Sequence, residues 1–395
     1  MPSLMMNASG IYLDHAATSP LRPEARGVWA AHVESADYNP ASLHRFGRSA
    51  HDLLERSRES IAGLLDLDRP RELLFTGGGT ASDNLALLGF TRTHAGERPV
   101  LVVSSIEHKA VLAAARRAEV EEAELILLPV DDHGVVDPAA LEAALRTARG
   151  RPCLVSVMWA NNEVGSVQPI AELCRIAHAS GARFHTDAVQ AFGKLPLSLT
   201  EIRADLLTIT AHKIGGPVGI GALVVRGDLG LEPLVYGGSQ ERGLWSGTQN
   251  PLGAAAFAAA AEAAVREIPE SVPRWTEIRN TLESDLCAGI EGLVVHAGSA
   301  RARLPQLLSV GIPGADPATL LMVLDLAGIA VSSGSACSSG SQTGSHVLAA
   351  MGIDPVSEYA VLRFSFGPFT TEEEVSRAGQ AAIRAAAQAR AVFAG

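Results

Sequence analysis

Five polar clusters in this chain each follow a short apolar run, and their residue types suit chemistry on a carbonyl compound that carries an anion. Lys213, in Thr210-Ala211-His212-Lys213, ends one run just ahead of Gly215-Gly216-Pro217. Partial burial there would lower the amine's pKa and make it a nucleophile towards carbonyls. A surface lysine is the plainer reading. Asp187, in His185-Thr186-Asp187-Ala188-Val189-Gln190, could pair with a protonated ring nitrogen, and Gln190 could donate to a ring oxygen; capping of a helix by Asp187 is the rival. In Thr76-Gly77-Gly78-Gly79-Thr80 the glycines admit close approach of a ligand, and the helix that follows offers N–H groups to an anion. An ordinary strand-to-helix turn capped by Thr80 is an equal alternative, and no Walker A loop is present. His108, in Ser105-Ile106-Glu107-His108-Lys109, could stack on a ring or move protons, or simply face water. Asn161-Asn162-Glu163-Val164-Gly165 could orient a ligand's polar atoms or form a turn.

The elements that must position these residues read as strands alternating with helices. Apolar runs occur at Glu72–Thr76, Val100–Ser104, Leu125–Val130, Cys153–Trp159, Arg183–His185, Asp205–Thr210 and Ile220–Arg226. Helical patterns lie between most of them, as at Thr80–Thr93 and Ile170–Ser180. Continuous apolar strands of this kind are buried on both faces of a mainly parallel sheet covered by helices. The last two runs form a possible hairpin. Pro251–Val265 reads as a buried helix, and after about Pro269 the texture changes. A helix Trp275–Gly289, strands near Gly292–His296, Leu307–Val310 and Val361–Ser365, and a helix near Pro317–Ala327 suggest a second α+β unit. Its last helix starts with a capping box of Thr370 and Glu373. The expected division is a large domain over 20–268 and a smaller one made from 1–19 and 269–395. The smaller one carries a Ser/Gly-rich loop at about 332–345. In open α/β sheets ligands bind beyond the carboxyl ends of strands, where all five clusters fall.

Composition narrows the function classes. The 395 residues are 47% hydrophobic, enough for a large core, and the net charge of −11 argues against direct nucleic-acid binding. Four cysteines are too few and too scattered for a disulfide framework or a zinc site, so no metal is expected and a reducing cytoplasm fits. Met1–Gly10 has no signal-peptide pattern, and Pro251–Val265 is too short to span a membrane.

Pyridoxal phosphate requires a Schiff-base lysine, an acid on the pyridine nitrogen and an anion cradle, which the clusters supply together. At this point a resemblance becomes specific. The chain resembles the cysteine desulfurases (NifS/IscS-type) of the class V aminotransferase-like family. The matching stretches include Tyr12-Leu13-Asp14-His15-Ala16-Ala17-Thr18, Asn39-Pro40-Ala41-Ser42, Gly78-Gly79-Thr80, Glu107-His108-Lys109, Asn161-Asn162-Glu163-Val164-Gly165 and Asp187-Ala188-Val189-Gln190. Further on they are Ala211-His212-Lys213, Gln240-Glu241-Arg242, Ser246-Gly247-Thr248, Ser332-Ser333-Gly334-Ser335-Ala336-Cys337 and Arg363-Phe364-Ser365. They span nearly the whole chain in the family's order.

The resemblance implies the α/β architecture of PLP-dependent aminotransferase-like enzymes (fold type I): a mainly parallel seven-stranded sheet between helices, with a smaller α+β C-terminal domain. It implies pyridoxal 5'-phosphate bound covalently to Lys213, with Asp187 on the ring nitrogen, Gln190 on the phenolic oxygen and His108 stacked on the ring. Gly79, Thr80, Thr210 and His212 would hold the phosphate, and Thr248 would reach the phosphate of a neighbouring subunit in a homodimer. Asn39, Asn162 and Arg363 would bind L-cysteine, the last two through its carboxylate, and Asn162 would also contact the cofactor. Sulfur would leave cysteine as a persulfide on Cys337, with alanine as the other product. A sulfur-acceptor protein, such as an iron–sulfur scaffold or a sulfurtransferase, would take it on, and Cys337 would contact an iron–sulfur cluster at most transiently. Small residues flank Cys337, unlike Cys153 and Cys174, which sit among apolar ones. Thr210-Ala211, Ala81, Trp245 and Thr343-Gly344 depart from the usual family residues without removing a catalytic group. Two rivals remain: a selenocysteine lyase or other PLP lyase of the same fold, and an inactive sulfur-carrier or scaffold-binding protein.

Overall fold

Strand residues here divide by parity between two apolar layers. The computed structural model describes residues 10–33, 38–148, 150–333, 344–353 and 359–393. A short strand β1 (Ile11–Tyr12) precedes the main sheet. That sheet contains β2 (Leu73–Thr76), β3 (Val100–Ser104), β4 (Glu124–Leu128), β5 (Cys153–Ser156), β6 (Arg183–Asp187), β7 (Leu206–Thr210) and β8 (Gly221–Val225). Val100 and Val102 of β3 face one core, and Leu101 and Val103 face the other. In β8, Ala222 and Val224 go one way and Leu223 and Val225 the other. This two-residue period makes continuous apolar runs, not alternating ones, the signature of a sheet covered on both faces.

The strand order is β2-β8-β7-β6-β5-β3-β4. β8 pairs antiparallel with both β2 and β7, and the remaining neighbours are parallel. The five polar clusters therefore gather along one edge, beyond the carboxyl ends of β2, β3, β5, β6 and β7. All seven runs read from the sequence are strands of this sheet, with ends moved by a few residues.

A helix of 39 residues, Pro251–Gly289, ties this layer to a second core. Pro251 occupies its first turn, and the Asn250 side chain caps it by accepting from Gly253 N at 2.8 Å. Its Ala254–Ala264 portion packs in the large core, and Trp275, Ile278, Leu282 and Leu286 pack in the second. The sequence suggested two helices separated near Pro269; the helix instead continues through Pro269 and Pro273. Burial at both ends holds it against two missing backbone donors, each of which costs about 3 kcal/mol in an open helix. The second core is built on β9 (Val294–Val295), β10 (Leu307–Pro313) and, beyond the short β11 (Ile329–Ala330), on β12 (Tyr359–Ser365). The sheet order is β12-β10-β9, and β1 pairs in parallel with β11.

The capping box of the last helix, Glu372–Phe393, lies one residue later than expected. Thr371 N donates to Glu374 Oε2 at 2.8 Å, and Glu374 N donates to Thr371 Oγ1 at 3.2 Å. Thr370 is instead buried, and its hydroxyl accepts from Gly367 N at 2.9 Å. The Thr-Thr pair satisfies the spacing in two registers, and packing of Thr370 selects one. Among the described residues no helix is long and apolar enough to cross a membrane, and no group of His, Cys, Asp and Glu could hold a metal.

Candidate active site

A cavity of about 380 Å³ opens at the carboxyl edge of the main sheet. Ten of the thirteen residues singled out from the sequence line it: Gly79, Thr80, His108, Asn162, Asp187, Gln190, Thr210, His212, Lys213 and Arg363. Asn39 and Thr248 are exposed and lie outside its lining, the Asn39 side chain accepting from Ala41 N at 2.9 Å. Cys337 lies outside the described residues.

The N-terminus of helix Gly79–Thr93 forms one end of the cavity. Gly78 is its cap residue, at φ 130°, where a side chain is strained, and no side chain caps the helix. Gly221 of β8 runs so close that a Cβ there would stand 2.8 Å from Gly78 Cα. The first N–H groups and the positive end of the helix therefore face the cavity, beside the Thr80 hydroxyl. That is an anion site by construction.

Asp187 ends β6 and is buried. It accepts from Val189 N at 2.9 Å, so the capping contact anticipated from sequence exists alongside its place in the cavity. Burial raises its pKa to about 6, against the Val189 bond and the charge of Lys213, which lower it. Asp83, buried in the same cavity wall, has its pKa raised well above the usual range by burial together with the Asp187 charge. Of this pair Asp83 is pushed further towards its protonated form, so charge is favoured on Asp187, beside Lys213. His185 closes the back of the pair: one ring nitrogen meets Ser156 Oγ at 2.9 Å and the other Thr208 Oγ1 at 3.1 Å. Burial lowers its pKa to about 3, so it stays neutral.

His108 caps the helix Lys109–Val120, its Nδ1 accepting from Ala110 N at 3.2 Å. An accepting Nδ1 is unprotonated. Burial, then the charge of Lys213, pull its pKa to about 4. Both observations leave a neutral ring with its proton on Nε2. Glu107, next to it, is completely buried. It joins the ends of β3 and β5 by accepting from Met158 N at 2.6 Å, and burial raises its pKa well above normal, against that bond.

Lys213 follows β7 in a single turn of 3-10 helix, His212–Ile214. Its Nζ donates to the carbonyls of Ala16 and Ala17 at 2.7 and 2.6 Å. His212 meets Thr18 Oγ1 at 3.1 Å, and burial, then Lys213, lower its pKa to about 4. Arg363 enters from β12. Its guanidinium bonds Asp14 at 2.7 Å and the Asn162 carbonyl at 2.8 Å. Asn161, by contrast, is structural: its Oδ1 accepts from Glu163 N and Val164 N.

Sequence reasoning missed the roles of Asp14, Lys194 and His346. His346 lines the cavity and meets the Glu107 carbonyl at 2.9 Å. Lys194 is buried and donates to Gln190 Oε1 at 2.8 Å. Its spacing of four from Gln190 was the available signal, because residues four apart share a side of a helical turn.

The donor set fits pyridoxal phosphate group by group. An amine is available for an aldehyde, a buried carboxylate for a ring nitrogen, an amide N–H for a phenolic oxygen, and an uncapped helix start for a phosphate.

Comparisons with known proteins agree with this chemistry. The family model described as aminotransferase class-V matches residues 11–378. An IscS-like cysteine desulfurase of Mycobacterium tuberculosis is 41% identical over 96% of this chain and 97% of its own. The cysteine desulfurase IscS of Dictyoglomus turgidum is 38% identical over 93% of this chain and 92% of its own. The solved structure of a NifS-like protein superposes with a TM-score of 0.87 at 33% identity, covering 95% of this chain and 98% of that one. The fold-type-I architecture expected from sequence is thus the one this chain has. On its fold, its site and its relatives, the chain belongs to the aminotransferase class-V family, within the cysteine desulfurases.

Proposed function

We propose that this protein removes the sulfur of L-cysteine, releases L-alanine and holds the sulfur as a persulfide on Cys337. The observation that carries the reading is the convergence of Lys213, Asp187, Gln190, His108 and an uncapped helix N-terminus in one cavity. Pyridoxal phosphate, when bound, supplies an aldehyde for amines and an electron sink for charge developing at the substrate's α-carbon.

This chain's residues do the rest. Lys213 holds the cofactor covalently, then removes the α-proton of the substrate and returns a proton to it. Asp187 carries the charge that keeps a ring nitrogen protonated. Gln190 donates to the phenolic oxygen. The His108 ring, in the cavity lining, would pack against the bound cofactor and could pass a proton through Nε2. Thr80, Thr210, His212 and the helix start bind the phosphate. Arg363, oriented by Asp14 and the Asn162 carbonyl, pairs with the substrate carboxylate through its planar fork, with Asn162 beside it. The Cys337 thiolate attacks the substrate sulfur. An S–S bond forms, the C–S bond breaks, and its electron pair stays with the amino-acid skeleton, which takes a proton and leaves as alanine.

Placement of the described residues on either side of the Cys337 segment supports this step. Ser332 pairs with Arg363 through two backbone bonds, 3.2 and 2.7 Å, and His346 lines the cavity. Both neighbours of the segment thus lie at the site. Cys337 is four residues from Ser333, and four residues span at most about 14 Å. We further propose a homodimer in which Thr248 serves the partner's phosphate, as its exposure permits, and a sulfur-acceptor protein for iron–sulfur clusters or other sulfur-containing biomolecules. A cytoplasmic location fits the scattered cysteines.

The test is a pair of variants in the reconstituted enzyme. Cys337→Ser should keep the yellow cofactor band and lose conversion of cysteine to alanine; Lys213→Ala should lose both the covalent link and turnover. Full turnover in Cys337→Ser would refute the thiol's role. A wild-type sample that stays colourless would refute the cofactor's.

A further inference from the structure

Lys194 is an amine deep in the protein that the mechanism above does not use. It is 6% exposed and does not line the cavity. Four residues after Gln190 the chain turns helically, Lys194 N bonding the Ala191 carbonyl at 3.0 Å. Gly193 makes this turn possible: its φ is 68°, and a Cβ there would stand 2.9 Å from the Ala264 side chain. Lys194 is thereby pressed inward, and its Nζ donates to Gln190 Oε1 at 2.8 Å. Among the described residues it has no carboxylate partner.

The groups that sense its charge are all basic: Lys213, Arg363, His15 and His212. Burial, then Lys213 and Arg363, draw its pKa down to about 7. A lone buried amine among other bases is unfavourable unless it serves a contact. Its contact is an amide oxygen, to which the amine donates. Gln190 Oε1 faces Lys194, which leaves Nε2 on the cavity side. There it donates to the Ala16 carbonyl at 2.9 Å, the same carbonyl that accepts from Lys213.

We propose that Lys194 is a positioning residue of the cofactor site: it locks the Gln190 amide with Nε2 towards the cavity and so stabilises the ionised phenolic oxygen of the ring. The inference rests on the pyridoxal phosphate reading of the cavity. Without Lys194 the amide can present its oxygen to the cavity instead. A phenolic oxygen facing that oxygen would be less stable when ionised, so the proton shared with the neighbouring imine would be held more tightly.

The experiment is an absorption titration of the reconstituted holoenzyme, following the protonated imine band with pH. Lys194→Met is expected to raise the apparent pKa by about one unit, a tenfold gain in proton affinity, the scale of one hydrogen bond to an ionised oxygen. Gln190→Ala should raise it equally, and the double variant should go no further than Gln190→Ala. Lys194→Gln retains a donor without the charge and should recover most of the wild-type value; it also carries the test if Lys194→Met folds poorly. Unshifted titration in Lys194→Met, additive shifts in the double variant, or Lys194→Gln matching Lys194→Met would each overturn the proposal. Absence of any imine band in the wild type would reject the cofactor reading itself, a separate and earlier failure.

Discussion

Asp187 and Asp83 line the cavity with Glu107 buried beside His108, while Lys213 and Arg363 line it from other elements and Lys194 is buried against Gln190. All six are side chains that water normally keeps charged. In the acidic group burial prevails, raising the pKa of both Asp83 and Glu107 well above the usual range. Glu107 even accepts a short backbone bond, from Met158 N at 2.6 Å, and burial still outweighs it. Asp187 has a comparable bond, and what sets it apart is the cation of Lys213. The basic group is held differently, by carbonyl and amide oxygens of Ala16, Ala17, Asn162 and Gln190, and by Asp14. Burial alone does not assign roles here; the partner next to each buried group does. One anion therefore remains where a ring nitrogen needs it.

Removing the amine should break this comparison most severely. Lys213→Ala loses the nucleophile, the proton carrier and the cation beside Asp187, so kcat should fall about a thousandfold or more. Asp187→Asn keeps the shape and removes the one charge. Its kcat/KM should fall about a hundredfold, the scale of a lost electrostatic partner, with cofactor still bound through its phosphate.

A smaller, pH-dependent effect concerns the cofactor-free protein. Asp187 is ionised above a pKa of about 6, so affinity for pyridoxal phosphate should decline as pH drops below 6. Titration by fluorescence quenching should show that slope, and Asp187→Asn should abolish it. The stability of the cofactor-free protein runs the other way. A folded pKa raised from 3.8 to about 6 means the folded state binds the proton more tightly, so stability contributed by this group declines as pH rises between those values. Chemical denaturation at pH 4 and pH 7 measures the difference, which Asp187→Asn should reduce.

The smallest effect distinguishes the two aspartates. Burial pushes Asp83 towards its neutral form, so Asp83→Asn should change kcat/KM less than about threefold, within what a shape-conserving neutral swap allows. A loss as large as that of Asp187→Asn would show that the charge is shared or resides on Asp83.

Much of this site was legible because two sequence signals coincide. Runs such as Val100-Leu101-Val102-Val103 mark doubly covered strands, and the reactive residue types fall just after them. Roles that depend on side-chain direction were less legible. Asp187 caps its turn and lines the cavity, so two readings that seemed exclusive are both true. Lys194 is flanked by Gly193 and Leu195 and looks like any amphipathic lysine until the turn after Gln190 points it inward. The helix through Pro269 and Pro273 escaped detection because proline marks a break in local terms, whereas two separate cores fix its ends. The Thr370/Thr371 ambiguity was resolved only by which hydroxyl is buried.

The central claim is that one thiol receives the sulfur of cysteine. A single turnover of the reconstituted enzyme with one equivalent of L-cysteine, followed by peptide mass analysis and alanine assay, tests it directly. The account predicts one added sulfur on the peptide containing Cys337 for each alanine released, removed by a reductant. Alanine release with Cys337 unmodified, or the added sulfur on Cys153, Cys174 or Cys287 instead, would contradict it.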